Sequence, residues 1–278
     1  MTRSPMNSLE KVAEGVVYRI GNMAISKKLF RYWYPFMTRR LGSEGDVFFL
    51  NWGYEEDPPM GLPLDNADEI NRYSIQLYHQ TANQIGLRGK KVLEVSCGHG
   101  GGASYLTRTL HPASYTGLDF NSAAVDFCRK RHHLPGLDFV QGDAENLPFA
   151  DGSFDAVINV EASHIYPSVE NFFSEVARVL RPGGHFLYTD FISRVNLPGN
   201  DAALAKPPLR MVSERIIDEQ VLRGLKANSP RSVELINRHL PAVLHRFGRE
   251  FAVVEGSTFF KDLGRGELTY RIYCLTKD

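Results

Sequence analysis

The 278-residue chain carries 32 basic and 32 acidic side chains, a formal net charge of zero, so no global field draws it to nucleic acid. Its three cysteines (Cys97, Cys128 and Cys274) are odd in number and far apart, which argues for a reducing compartment and against a disulfide framework or a CxxC metal site. No apolar run approaches the roughly 20 residues that span a bilayer, and Arg19 interrupts the first apolar stretch too early for a signal peptide. The expectation is a cytoplasmic protein of one large domain with an elaborated lid, with contact at the inner face of a membrane left open.

Residues 1–40 hold eight Lys/Arg against two Glu. Val12, Val16, Ile20 and Met23 recur at helical spacing, and Arg31-Tyr-Trp-Tyr-Pro-Phe-Met37 follows, dense in aromatics. Residues 41–70 reverse the charge, with eight acids and no Lys or Arg. Pro58, Pro59 and Pro63 make this stretch irregular, and Phe48, Phe49, Trp52 and Tyr54 make it a candidate roof for a site. Asn71–Gln84 reads as a helix that ends at Gly86 and Gly89.

From there strands and helices alternate. Strands are expected at 91–96, 114–118, 137–141, 154–159 and 184–189. Helices are expected at about 101–110, 121–131 (capped by Asn121) and 168–180, the last broken by Arg181-Pro-Gly-Gly184. This repetition implies a doubly wound parallel α/β sheet with helices on both faces. Residues 195–248 read as mostly helical. Two closing strands are expected at Phe251–Thr258 and Leu268–Thr276. Residues 1–70 are taken as a substrate-facing lid, 71–278 as the main domain, and 195–248 as a helical insertion covering the acceptor site.

The stretch Lys91-Val-Leu-Glu-Val-Ser-Cys-Gly-His-Gly-Gly-Gly102 organises the rest. Its apolar start suits a buried strand, and its glycines suit close backbone approach to a ligand. The glycines do not follow the dinucleotide fingerprint, and the Lys-Ser/Thr of a phosphate-binding loop is absent. Glu94, just before the loop, disfavours phosphate. It suits a cationic amino group, such as the methionine end of S-adenosylmethionine. Each strand end then delivers a polar group to the crevice where such folds bind ligands. The first delivers Ser96, Gly98 and Gly100. Asp119 is placed for a pair of ribose hydroxyls. Asp143, Ala144 and Glu145 follow the third strand, where Asp143 and the Ala144 amide suit an adenine. Asn159, Glu161 and His164 follow the fourth, and Asp190 ends the fifth.

These residues resemble the class I S-adenosylmethionine-dependent methyltransferases over about 91–190. Glu94-Val-Ser-Cys-Gly-His-Gly100 resembles their first motif, Leu118-Asp119 their ribose acid, and Gly142-Asp-Ala-Glu-Asn-Leu-Pro-Phe149 their adenine-contact stretch. Phe154-Asp-Ala-Val157 and Val179-Leu-Arg-Pro-Gly-Gly184 complete the set. Ser96 departs from the pattern, which has Gly there. The resemblance implies a seven-stranded Rossmann-like sheet. It also implies S-adenosylmethionine as cofactor, with S-adenosylhomocysteine as product, and a cofactor site that adds Phe120 to the residues above.

Arg31-Tyr-Trp-Tyr-Pro35, Asn51-Trp-Gly-Tyr-Glu-Glu-Asp-Pro-Pro59 and Ser96-Cys-Gly-His-Gly-Gly-Gly-Ala-Ser104 resemble more closely the mycobacterial lipid methyltransferases. That group includes phthiotriolone/phenolphthiotriolone dimycocerosates methyltransferase and the glycopeptidolipid fatty-acid and rhamnosyl O-methyltransferases. It implies O-methylation of a cell-envelope lipid. An alcohol acceptor needs a base, and His164, held by Asp190, is the candidate; the other reading of His164 is a structural histidine at the strand–helix junction. His99 is read as shaping the loop or touching the cofactor. Methylation of a rhamnosyl unit and cofactor binding without catalysis are the alternative functions.

Overall fold

The computed structural model describes residues 47–278. The basic, aromatic stretch expected to form a helix within 1–40 lies outside the described residues. Two helices come first, α1 (Asn66–Glu69) and α2 (Arg72–Ala82). The alternating region follows as β1 (Lys91–Val95), α3 (Gly101–Leu110), β2 (Ser114–Asp119), α4 (Ser122–Arg131), β3 (Leu137–Gln141), β4 (Phe154–Val160), α5 (Val169–Val179) and β5 (Leu180–Ser193). The chain closes through α6 (Leu197–Leu204), β6 (Leu209–Ile216), α7 (Asp218–His239), α8 (His245–Phe251), α9 (Thr258–Gly264) and β7 (Leu268–Lys277).

The seven strands form one sheet in the order β3-β2-β1-β4-β5-β7-β6. The first five are parallel, and β7 runs antiparallel between β5 and β6. The strand order reverses between β1 and β4, and that switch point opens the crevice in which such sheets bind ligands.

Burial on both faces explains the apolar strands. Val92 packs into the core on one face with Leu106, Tyr115 and Ile158, while Leu93 and Val95 pack into the other with Leu118, Val157 and Phe172. Glu94 shares the face of Val92, so β1 carries a carboxylate into the core. α5 covers the second face with Phe172, Phe173, Val176 and Val179 at helical spacing. Its Phe173 ring meets a column of Phe186, Tyr188 and Tyr273, whose successive centroids are 5.3 Å apart. Helix starts follow local capping chemistry: the Asn121 side chain accepts from Ala123 N at 3.0 Å, and that of Ser168 accepts from Asn171 N at 3.2 Å.

Of two expectations for the C-terminal third, the strand at Phe251–Thr258 is overturned, and the mostly helical 195–248 holds except at one strand. Residues 209–216 are not helical but form β6, the sheet's last strand. Phe251–Thr258 is not a strand: the chain leaves α8, turns through Val253 at φ +48, and enters α9 with Ser257 as its cap. The partners of β7 are therefore β5 and β6. Met211 and Ile216, within the stretch expected to cover the acceptor site, sit on this edge strand, 39% and 54% exposed.

The irregular segment after Val47 runs across the crevice side of the sheet. It is fixed by backbone bonds from Tyr54 N to Tyr73 O and from Glu55 N to Gln220 O, both 3.0 Å. It crosses α7 so closely that a Cβ at Gly224 would lie 2.3 Å from Tyr54 N. Only glycine permits that approach.

Candidate active site

The loop after β1 has Gly98 at φ +56 and Gly100 at φ +74, backbone conformations that favour glycine. Ser96 adopts φ +62 without being glycine. Its hydroxyl lies 2.6 Å from the Tyr166 hydroxyl, which also accepts from Asn159 Nδ2 at 3.0 Å. The departure from Gly at this position thus ties the loop to the segment after β4, against a left-handed strain of about 1–2 kcal/mol. The Asn159 amide also donates to Val95 O at 2.9 Å, stitching β4 to the end of β1.

Asp119 lies at the carboxyl end of β2 and supports the loop directly. Its Oδ2 accepts from Gly98 N and its Oδ1 from Asn121 N, both at 2.9 Å. Each oxygen keeps a lone pair for another donor. Burial pushes its carboxyl up to about 6, against the pull of those two amides. Beneath the loop, Glu94 accepts from Tyr78 OH at 2.9 Å and from Tyr115 OH at 2.8 Å. Desolvation raises Glu94 to about 7 despite these bonds, and the charge of Asp119 adds to the rise.

These raised values set a direction for stability. Between about pH 4.5 and pH 7 the folded protein keeps a proton on Glu94 that the unfolded chain has released, so stability falls as pH rises through that window. Asp119 adds to the same slope in its own lower window. Glu94→Gln is expected to flatten the decline in melting temperature of the cofactor-free protein between about pH 5 and pH 7. An unchanged slope would show that Glu94 is not the group responsible.

His99 is buried, and its Nδ1 donates to Val47 O at 2.7 Å, pinning the 47–54 segment over the glycine loop. Desolvation lowers its pKa. The β3–β4 loop is joined to β2 by Gly142 N donating to Asp119 O at 3.1 Å. Asp143 then turns outward and accepts from Glu145 N at 3.0 Å. Glu145 accepts from Ser168 N at 3.0 Å, holding the entry to α5. Ala144 is buried beside them, and Phe120, next to Asp119, is 44% exposed at the crevice.

The other half of the site follows β4 and β5. His164 Nδ1 donates to Asp190 Oδ1 at 2.8 Å, and the His164 backbone amide donates to Asp190 Oδ2 at 3.1 Å. The Ser163 hydroxyl donates to the same Oδ2 at 2.7 Å. Asp190 is fully buried, while the His164 side chain is 30% exposed. A carboxylate on Nδ1 leaves Nε2 as the proton acceptor. The pairing expected from the sequence is thus present. The imidazole lies 4.3 Å from the Phe191 ring, and Trp52 stacks on Phe191 at 4.5 Å and 7°. Phe259 and Tyr270 close the same aromatic wall.

Sequence reasoning missed the tyrosines that brace the site, Tyr166 on Ser96 and Asn159 and Tyr78 and Tyr115 on Glu94. Tyr166 lies two residues after His164 but carries no catalytic signature. Tyr78 and Tyr115 come from an earlier helix and a neighbouring strand, so only the fold brings them to Glu94.

The loop and strand ends fit S-adenosylmethionine. Asn159 Oδ1 and Asn121 Nδ2 are buried without a hydrogen-bond partner, one acceptor and one donor flanking the loop and Asp119. An unsatisfied buried pair of this kind calls for a polar ligand. An ammonium and a ribose would supply the missing partners.

Comparison with known proteins agrees with this geometry. The methyltransferase domain family matches residues 93–188. The chain is 60% identical over 260 residues to "Phthiotriol/phenolphthiotriol dimycocerosates methyltransferase" of Mycobacterium tuberculosis, covering 94% of this chain and 96% of that one. It is 50% identical over 271 residues to "Fatty-acid O-methyltransferase" of Mycolicibacterium smegmatis, covering 98% and 97%. Among solved structures, a putative sarcosine dimethylglycine methyltransferase from Galdieria sulphuraria superposes with a TM-score of 0.69 at 16% identity, covering 88% of this chain and 98% of that one, a likeness of fold. With its sheet order, its glycine loop above Asp119 and these relatives, the chain belongs to the S-adenosylmethionine-dependent methyltransferases, in the group formed by the mycobacterial dimycocerosates and fatty-acid O-methyltransferases.

Proposed function

We propose that this methyltransferase transfers a methyl group to a hydroxyl carried on the apolar chain of a mycobacterial-type cell-envelope lipid. The observation that carries the reading is the His164–Asp190 pair, with Nδ1 held at 2.8 Å, set against the wall of Phe191, Trp52, Phe259 and Tyr270. A base at that place suits an alcohol, which is a poor nucleophile while protonated. The aromatic wall suits an acyl or polyketide chain better than a sugar, whose hydroxyls need many polar partners. The names of the relatives, one acting on phthiotriol lipids and one on fatty acids, point the same way.

S-adenosylmethionine, when bound, supplies an electrophilic methyl group on its sulfonium. Gly98, Gly100 and Asp119 would hold it, with Asn159 at the amino-acid end and Phe120, Asp143 and Ala144 at the base. Glu94, Ser96 and Glu145 support that cradle through Tyr78, Tyr115, Tyr166 and Ser168. His164 Nε2 accepts the proton of the acceptor hydroxyl. Asp190 holds the imidazole in the required tautomer and stabilises it once charged. The 47–54 segment covers the acceptor side and excludes water. Residues 195–248 extend that cover, and the lipid acceptor is met at the inner face of a membrane.

The test is the lipid profile of a strain lacking the gene. One class of envelope lipid is expected to lose a single methyl group, and fragmentation is expected to place it on an acyl-chain oxygen. A methyl lost from a rhamnosyl unit would favour the sugar reading, and an unaltered profile would contradict both.

A further inference from the structure

Glu161 follows β4 in a backbone conformation that residues with side chains rarely adopt, φ +49, while its amide donates to Thr189 O at 2.8 Å. This geometry anchors the main chain on β5 and turns the side chain toward the segment that covers the site. The carboxylate receives the Trp52 backbone amide across both oxygens, at 2.8 and 2.9 Å. The Tyr270 hydroxyl, from β7, donates to Oε1. Burial pushes Glu161 up to about 8, with Asp190 adding to the rise and the two donors opposing it. Trp52 then lies flat on Phe191, and Phe191 touches His164.

We infer that Glu161 is a positioning residue for the acceptor: it clamps the Trp52–Phe191 wall beside His164 so that the acceptor hydroxyl is presented to Nε2. The inference rests on the proposed role of His164 and adds a residue that does not touch the reacting atoms. Without the carboxylate, the Trp52 amide loses its partner in a half-dry environment, and the wall is free to shift. A wall free to shift holds the acceptor chain less well, a loss of binding that reads as a raised KM.

Glu161→Ala is expected to raise the acceptor KM about tenfold or more, while the dissociation constant for S-adenosylmethionine stays within about twofold. Glu161→Gln keeps a carbonyl oxygen for Trp52 N and Tyr270 OH, and is expected to restore KM to within about threefold of wild type. Tyr270→Phe removes one donor without emptying the wall and is expected to give a smaller rise of the same kind. It serves as the independent variant if Glu161→Ala does not fold. An unchanged KM in Glu161→Ala would overturn the clamp. So would equal losses of kcat in the Ala and Gln variants, since these would assign the carboxylate a chemical role.

A second readout needs no turnover. Trp33 and Trp52 are the chain's two tryptophans, so in a Trp33→Phe background the emission reports Trp52. Glu161→Ala is expected to increase acrylamide quenching of that emission and Glu161→Gln to leave it near the parent value. Equal quenching in all three would overturn the clamp. Normal quenching behaviour in a protein that never methylates a lipid would instead overturn the proposed function.

Discussion

Replacing His164 by alanine is expected to lower kcat for methyl transfer by about 10²–10⁴-fold, the range a general base contributes, with affinity for S-adenosylmethionine unchanged. The imidazole is the partly exposed member of a pair whose other member is fully buried. Asp190 takes four donors, from His164 Nδ1, His164 N, Ser163 Oγ and Phe191 N, so it is placed to orient the imidazole and not to reach an acceptor itself. Asp190→Asn replaces an acceptor on Nδ1 by an amide that can face it with a donor. The ring is then free to place its proton on Nε2, where an acceptor is required, and kcat is expected to fall by about 10²-fold or more. Single-turnover kinetics separate this effect from binding. Loss of cofactor affinity matching the loss of rate would move His164 from the acceptor side to the cofactor cradle, and full activity would leave it a structural histidine.

Asp119→Ala is expected to weaken S-adenosylmethionine binding by about 10²–10³-fold, measured by calorimetry. Two effects add. The ribose loses a carboxylate acceptor, worth about 1.5–3 kcal/mol per hydrogen bond to a charged group. The Gly98 amide also loses the acceptor that holds the glycine loop, at 2.9 Å, so the loop is less prepared for any ligand. Asp119→Asn keeps an oxygen for one of the two amides and is expected to fall between wild type and Asp119→Ala. Unchanged affinity in the alanine variant would remove Asp119 from the ribose.

Much of this site was legible in the sequence because its parts sit at the ends of strands that announce themselves. The apolar run of β1, its glycines and the acid ending β2 specify their own neighbours through the parallel order of a doubly wound sheet. His164 and Asp190 are 26 residues apart, one just after β4 and the other within the neighbouring β5, so their pairing followed from topology. The Glu161–Trp52 contact spans 109 residues and joins a strand end to an irregular segment, and no periodicity encodes it.

The last strands failed for a different reason. Leu209-Arg-Met-Val-Ser-Glu-Arg-Ile216 is an edge strand, buried only at its first residue, so it lacks the alternation that marks a strand with one covered face. Phe251-Ala-Val-Val254 has strand-like composition, but its backbone bonds close tight turns, from Val254 N to Arg249 O at 3.0 Å and from Ser257 N to Val254 O at 2.9 Å. Local propensity yielded there to the packing of α8 and α9 against α7.

The central claim is transfer of a methyl group to a lipid hydroxyl by the His164–Asp190 site. The most direct measurement incubates the purified protein with S-adenosylmethionine carrying a deuterated methyl group and with a hydroxylated lipid, either a phthiotriol dimycocerosate or a hydroxy fatty acid. Mass spectrometry is expected to find one deuterated methyl on the lipid oxygen for each S-adenosylhomocysteine released, with the rate collapsing in His164→Ala. Failure of wild-type protein to label either lipid, or equal labelling by wild type and His164→Ala, would contradict it.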